Sequence, residues 1–401
     1  MDLIPPLALE WLGTLVRWVH VLAAIMWIGD SFLFMWLDST LELPRQPRTG
    51  DVAGEIHLVH SGGFYEVVKR RSLTPAELPP HLYAFKWQAY STWISGACLL
   101  MIVYWLGGGG LLVESGASLS HGAAVALSAG SLIAGWLVYD LACRSPLMHR
   151  PRLLAALLSV VLVGTILGLT QVLGARAAWL QVGAMLGTVM AANVLTVIVP
   201  GQKHMLAQTA AGQPVDTSHG VRAKVRSTHN HYLTLPVLFM MLSQHFPSGY
   251  GHPASGVVLI LMIVFGIVLK YVMNARWRSD RRVVALGAAA LIAAITLTVR
   301  TGHGGSASAA PDLAVPDEQA LAIVERRCTT CHSDHPSNPS FPEAPNGVKL
   351  DGLDRLLSHA DRVQVRAIDT RTMPLGNLTG MTDAERDTLA AWLAHRPSAS
   401  R

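Results

Sequence analysis

The chain has 401 residues, of which 51% are hydrophobic and 14% charged, with a formal net charge of +5. Soluble proteins carry about a quarter charged residues, so this composition, with a mean hydropathy of +0.37, excludes an ordinary soluble protein. The basic residues lie in short clusters between apolar runs rather than on one patch, which argues against a nucleic-acid partner.

Eight apolar segments are each predicted to cross the hydrocarbon of a bilayer, which takes about 20 residues in a helix. They lie near 10–36, 87–106, 121–142, 153–173, 178–199, 229–246, 254–274 and 283–300. The first is too long for a signal peptide and lacks a basic leader, so it reads as a retained span. If the N-terminus is outside, the inner loops hold seventeen Lys and Arg residues, from Arg45 to Arg282, against Arg176 alone in the outer loops. Lys and Arg in short loops mark the cytoplasmic side, and an even number of spans returns the C-terminus to the outside.

In the first span, Arg17-Trp18-Val19-His20 places an arginine and a histidine three apart, on one helix face. Ionisable groups within a bilayer are costly and are functional candidates by default. His20 is suited to ligate a b-type haem with Arg17 on a propionate; the plainer reading is an interhelical hydrogen bond and a snorkelling arginine. The first inner loop brings His57, His60, Gly62-Gly63-Phe64-Tyr65, Lys69, His81 and Phe85-Lys86-Trp87-Gln88. Aromatic faces, amides and cations of this kind suit a planar heteroaromatic anion, and equally an ordinary basic loop with interfacial anchors. No glycine-rich nucleotide fingerprint follows a strand.

Cys98 and Cys143 fall in or beside apolar segments and read as small core residues. Gly107–Gly110 is a low-complexity outer loop, and no internal repeat is seen. The sixth span carries His229-Asn230-His231 near its start and His245 near its end. His231 and His245 are fourteen apart, nearly four turns, so they share a face about 21 Å apart. Fourteen residues from His20 stands Phe34, so a two-haem pattern is half supported. A single haem between His20 and His245 fits better; the alternative is that these helix-end histidines face water or headgroups.

Residues 301–316 are small and polar and read as a flexible linker. A helix is predicted to start at Pro316-Asp317-Glu318 and to run into Cys328-Thr329-Thr330-Cys331-His332. Cys-x-x-Cys-His is the attachment pattern of a c-type haem, two thioethers and a proximal histidine; no second cysteine pair stands by for zinc. Such haems are attached outside the cytoplasm, in agreement with the loop charges. Thr372-Met373-Pro374 follows, with Met373 as the expected sixth ligand and Met381, His335 and His359 as its rivals. A closing helix from Thr382 to His395 opens on a capping box with Glu385. The fold expected is therefore all-α: a polytopic membrane bundle over 1–300, a linker, and a single-haem cytochrome c domain over 317–401.

Taken together, Arg17-Trp18-Val19-His20 with Trp27-Ile28-Gly29, His60-Ser61-Gly62-Gly63-Phe64-Tyr65, Phe85-Lys86-Trp87-Gln88-Ala89-Tyr90-Ser91-Thr92-Trp93, His229-Asn230 through Phe239 and the terminal haem motif resemble the bacterial membrane-bound urate hydroxylases, urate oxidases with a fused cytochrome c. The likeness covers essentially the whole chain, departing at Ser61, where a glycine is expected, and Asp30, where a small residue is. It implies oxidation of urate with oxygen from water, and electrons leaving through haem to a soluble cytochrome c or terminal oxidase without hydrogen peroxide. It also implies the bacterial inner membrane, with both termini periplasmic. His60 or His229 is then the expected base, Lys86 holds the anion, Phe64 or Trp87 stacks on it, and Tyr65 and Asn230 complete the site. Two classes remain beside it: another haem-relay dehydrogenase or quinol oxidase, and a non-catalytic electron-transfer or haem-handling membrane protein.

Overall fold

The computed structural model describes residues 6–106, 111–113, 117–275, 278–302, 315–338, 341 and 343–395. The Gly107–Gly110 loop and residues 303–314 of the expected linker lie outside them. The long helices are α1 (Pro6–Thr40), α2 (Trp87–Leu100), α3 (His121–Arg144), α4 (Pro151–Val172), α5 (Ala175–Asn193), α6 (Val199–Ala210), α7 (Ser218–Leu242), α9 (Ser255–Ala275) and α10 (Arg281–Gly302), with the single turn α8 (Pro247–Tyr250) between α7 and α9. Among the described residues, six helical stretches are long and apolar enough to cross a membrane: 11–40, 121–144, 151–172, 175–210, 255–275 and 281–299. The chain reads as a membrane protein on that ground, but the expected eight spans are not all matched. The remaining two segments do form helices. However, α2 has 14 residues before it widens into a π-type turn, and the first turns of α7 carry Arg222, Lys224, Arg226, His229 and His231.

An all-α fold needs one correction. Residues Val52–His60 (β1) and Gly63–Arg70 (β2) pair as an antiparallel hairpin, with His60 opposite Gly63. The two turn residues, Ser61 and Gly62, have φ of 51° and 76°, the left-handed geometry that two-residue hairpin turns require. Glycine is favoured there, and Ser61 takes the conformation without one. Arg48 holds the hairpin's foot, binding Glu55 at 2.5 Å and also Glu66.

Proline shapes two helices. Pro200 has no N–H to give, and the π-type turn Val194–Ile198 joins α5 to α6 just before it. Pro236 lies inside α7, where Gly266 of α9 comes so close that a Cβ on it would sit 3.1 Å from the proline Cδ. The principal core, around Trp179, Val182, Met240 and Leu259, lies where α5, α7 and α9 meet. Large apolar side chains such as Trp18, Val19, Val160 and Ile292 point outward, as a hydrocarbon solvent allows.

Polar groups inside the bundle form a connected network. Arg226 of α7 binds Asp140 of α3 at 2.7 Å and Asn193 of α5 at 3.1 Å. Asn193 reaches the Tyr139 hydroxyl at 3.1 Å and the Asn230 carbonyl oxygen at 2.9 Å, and Asn230 donates to the Met190 carbonyl at 2.9 Å. Arg144 adds a 2.6 Å contact to the second Asp140 oxygen.

The C-terminal segment has its own apolar cluster, including Ile323, Val324, Leu356, Leu389 and Trp392. It is built from α11 (Asp317–Arg327), α12 (Leu353–Ser358), α13 (Ala360–Val363) and α14 (Asp383–Ala394). The capping box at Thr382 is present: its hydroxyl accepts from the Glu385 amide at 3.2 Å, and Glu385 accepts from the Thr382 amide at 2.8 Å. Trp392 donates to Asp317 at 2.8 Å, tying the last helix to the first. Asp334 binds Lys349 and Arg355, each at 2.6 Å.

Two expectations follow. Replacing Asp140 with Ala leaves Arg226 enclosed without its carboxylate, a loss on the order of 3 kcal/mol. Thermal melting of the detergent-solubilised protein should show it, and Asp140→Ala with Arg226→Met should melt above Asp140→Ala alone. Hydrogen bonds from Lys349 and Arg355 hold the Asp334 carboxyl at about 2 against an ordinary 3.8. The folded value is depressed, so this stabilisation is complete above the ordinary value and is lost as pH falls through the folded one. The melting difference between the wild type and Asp334→Asn should therefore be constant near neutrality and shrink as pH drops from 3.8 towards 2.

Candidate active cavity and haem-binding residues

One cavity of about 2640 Å3 runs between α1, α2, α5, α6 and α7. One end is formed by the beginnings of α1 and α5 and the ends of the α2 and α7 segments, which contribute Arg17, His20, Tyr104, Arg176, Gln244 and His245. The other end carries Lys86, Trp87, Gln202, Lys203, Asn230, His231 and Asn274, with Arg70 and Arg71 of the hairpin's end.

At the first end, α1 packs along α2, and the His20 ring lies over Gly96. A Cβ on Gly96 would sit 2.9 Å from His20 Cε1, so the glycine provides the space the imidazole fills. His20 Nδ1 donates to the Thr92 carbonyl at 3.0 Å and lies 3.1 Å from the Ser95 hydroxyl. That bond fixes the tautomer and leaves Nε2 with its lone pair, the arrangement typical of a metal-ligating histidine. His245 lines the same end. Gln244 accepts from the Tyr104 hydroxyl at 3.1 Å and from Arg176, while its own amide nitrogen is buried without a partner. Two imidazoles, the cations Arg17 and Arg176 and an unsatisfied donor make a set that fits a haem with acidic substituents.

At the other end, Asn230 is nearly buried and held by Asn193 and the Met190 carbonyl, and Lys86 Nζ stands 5.7 Å from the centroid of the Trp87 ring. These three residues, expected from the sequence, are on the cavity wall. His60, Phe64 and Tyr65 are not. They sit at the hairpin's tip and flank, with Phe64 93% exposed. His229 also stands off the wall, 2.8 Å from the Tyr139 hydroxyl.

His231 is the residue at this end that the sequence reading weighed only as a haem ligand. Its Nε2 lies 2.8 Å from Asn274 Oδ1 and its Nδ1 3.2 Å from the Ser31 hydroxyl. The signal was helical phase. At about 100° per residue, His229 points some 200° from His231, whereas Ser227, His231, Thr234, Leu238, Met241 and His245 recur every three or four residues and all line the cavity.

In the C-terminal segment, α11 ends at Cys328, and the chain turns so that the Cys331 and His332 amides donate to the Cys328 carbonyl at 3.1 and 2.9 Å. This turn gathers both thiols and the imidazole. His332 Nδ1 donates to the Val348 carbonyl at 2.9 Å, again leaving Nε2 free. Burial pushes the Cys328 thiol up to about 12, so its surroundings accept a neutral sulfur, which is what a thioether is. Met373 is clamped by its backbone, its amide donating to Arg366 at 2.9 Å and its carbonyl accepting from Arg386 at 2.8 Å. Among its rivals, Met381 is enclosed in the apolar cluster and His335 is exposed. The residues fit a covalently attached haem.

No curated protein matches the chain, and no solved structure does. A family model described as urate oxidase N-terminal matches residues 6–301, the whole described membrane part and the cavity within it. The chain belongs to the urate oxidase N-terminal family.

Proposed function

We propose that the protein is a membrane urate oxidoreductase that forms 5-hydroxyisourate with oxygen from water and passes the electrons out through its C-terminal domain, without hydrogen peroxide. The observation that carries this reading is the continuity of the cavity: a cationic, amide-rich end and an end with two imidazoles belong to one space. The reaction, urate plus water giving 5-hydroxyisourate, two electrons and two protons, needs both ends.

Lys86 and Lys203 oppose the charge of the urate monoanion, Trp87 offers an aromatic face, and Asn230 and Gln202 offer amides to the ring edges. Here the proton acceptor is His231 rather than His60 or His229, which do not line the cavity. His231 donates from Nε2 to Asn274, so Nδ1 keeps the lone pair that takes a proton, across the Ser31 hydroxyl, from the water adding to C5. A b-type haem between His20 and His245, with Arg17 beside it, and a c-type haem on Cys328, Cys331, His332 and Met373 would supply the one-electron chemistry. With α2 and α7 also crossing, eight spans place both termini in the periplasm of a bacterial inner membrane. The loop charge asymmetry supports this orientation, and a soluble cytochrome c or terminal oxidase then takes the electrons.

Adding urate anaerobically to the oxidised, purified protein should bring up the reduced c-type band together with a b-type band. A sample that dithionite reduces and urate does not would assign the relay to another donor. The variant His231→Gln should keep its haem spectrum and bind urate with a KM close to wild type, while kcat falls about a hundredfold; an unchanged kcat removes His231 from the proton path.

A further inference from the structure

The short loop that follows α8 is where the membrane bundle and the C-terminal segment meet. A Cβ placed on Gly251 would lie 2.6 Å from the Thr370 carbonyl oxygen, 2.8 Å from Thr370 Cβ and 2.7 Å from Thr372 Cγ2. The two backbones are therefore in direct contact, with no room for even a methyl group between them. Gly251 has φ of −79°, a value any residue adopts, so the position requires space and not glycine's conformational freedom.

Both sides of the contact are braced. Thr370 is buried, and its hydroxyl donates to the Val365 carbonyl at 2.7 Å and lies 3.0 Å from the Thr372 hydroxyl. Beneath the membrane side, Tyr250 is buried edge-on against Trp179, with ring centroids 6.4 Å apart. Next to Gly251, His252 accepts from the Ala254 amide at 2.8 Å and bonds to the Leu297 backbone in α10. The helix α10 itself packs on the turn Gln364–Asp369 that leads to Thr370. Two separate segments of the bundle thus grip the same loop.

Each side also leads to redox residues. Thr372 immediately precedes Met373, and the α8 loop follows His245, which lines the cavity. We propose that the Tyr250–Gly251 corner is a built seat for the Met373 loop, holding the C-terminal domain fixed at the His20–His245 end of the cavity instead of leaving it to swing on its tether. This rests on the electron relay proposed above. An electron crossing the seat leaves the membrane site oxidised by one equivalent and takes ferric iron to ferrous, with no group transferred.

The test uses the full-length protein in two variants. The first, Gly251→Cys with Thr370→Cys and a protease site placed between residues 303 and 314, brings the two sulfurs within disulfide reach after a shift of about 1 Å. After oxidation and cleavage, the halves should stay joined on a non-reducing gel and separate on a reducing one. Halves that separate without reductant overturn the seat. The second, Gly251→Leu, should keep its dithionite-reduced haem spectrum while urate reduces its c-type haem about tenfold more slowly or worse, and its b-type haem at the wild-type rate. Reduction of the c-type haem at the wild-type rate also overturns the proposal. If urate reduces no haem even in the unaltered protein, the urate reading fails by itself, and the cross-link still decides the seat.

Discussion

Asp140 and Arg226 face each other at 2.7 Å across α3 and α7, with the arginine almost wholly enclosed. A guanidinium in that setting has no water to fall back on, so its partners dictate where the helices stand. Asn193 is drawn in by the same guanidinium, and Asn193 in turn fixes Asn230. The carboxamide that the cavity presents at one end is therefore positioned by a charge pair on the far side of α7. His229 and Tyr139 belong to that far side, so the polar residues of α7 divide between the charge-pair network and the cavity wall.

The same division separates the two kinds of traffic that the proposed reaction requires. The proposal puts proton transfer at the basic end, around His231, Asn274 and the hairpin arginines. The proposal puts electron transfer at the opposite end, where His20 and His245 stand and where the loop after α8 meets the C-terminal segment. A long cavity connects them because α1 lies against α2 but stays clear of α5 and α7 over much of its length. Small residues decide these separations: Gly96 admits an imidazole, Gly266 admits a proline, and Gly251 admits another backbone.

Much of this could be read from the residues. Each of the eight apolar runs falls on a helix, because hydrocarbon burial leaves a composition signal that neighbouring helices cannot hide, whereas the more polar α6 is not evident from such a run. The number that qualify as spans was harder, since α7 mixes basic residues with an apolar half and α2 shortens into a π-type turn. The capping box at Thr382 was legible because it is local in sequence, within one turn. The β-hairpin is not evident from the apolar pattern, although Ser61-Gly62 is a two-residue turn, because β1 and β2 are polar strands in a segment between spans. The lining of the cavity's cationic end was half legible. Lys86, Trp87 and Asn230 line it, but His60, Phe64 and Tyr65 were grouped with them by nearness in the chain, and the hairpin carries them away. His231 stood out by helical phase, which a count of residue types does not register.

His20 and His332 are held in the same way, each giving its Nδ1 proton to a peptide carbonyl, Thr92 at 3.0 Å and Val348 at 2.9 Å. Such a bond makes an imidazole a stronger electron donor to whatever its other nitrogen binds. Since the two histidines are matched in this respect, the proposed assignment distinguishes the two sites by the other ligand instead. In the proposed assignment that ligand is a second imidazole, His245, in the bundle and a thioether, Met373, in the C-terminal domain. A thioether stabilises ferrous iron more than an imidazole does. In that assignment the Met373 sulfur favours outward electron flow, and it directly follows the Thr370–Thr372 stretch that meets Gly251.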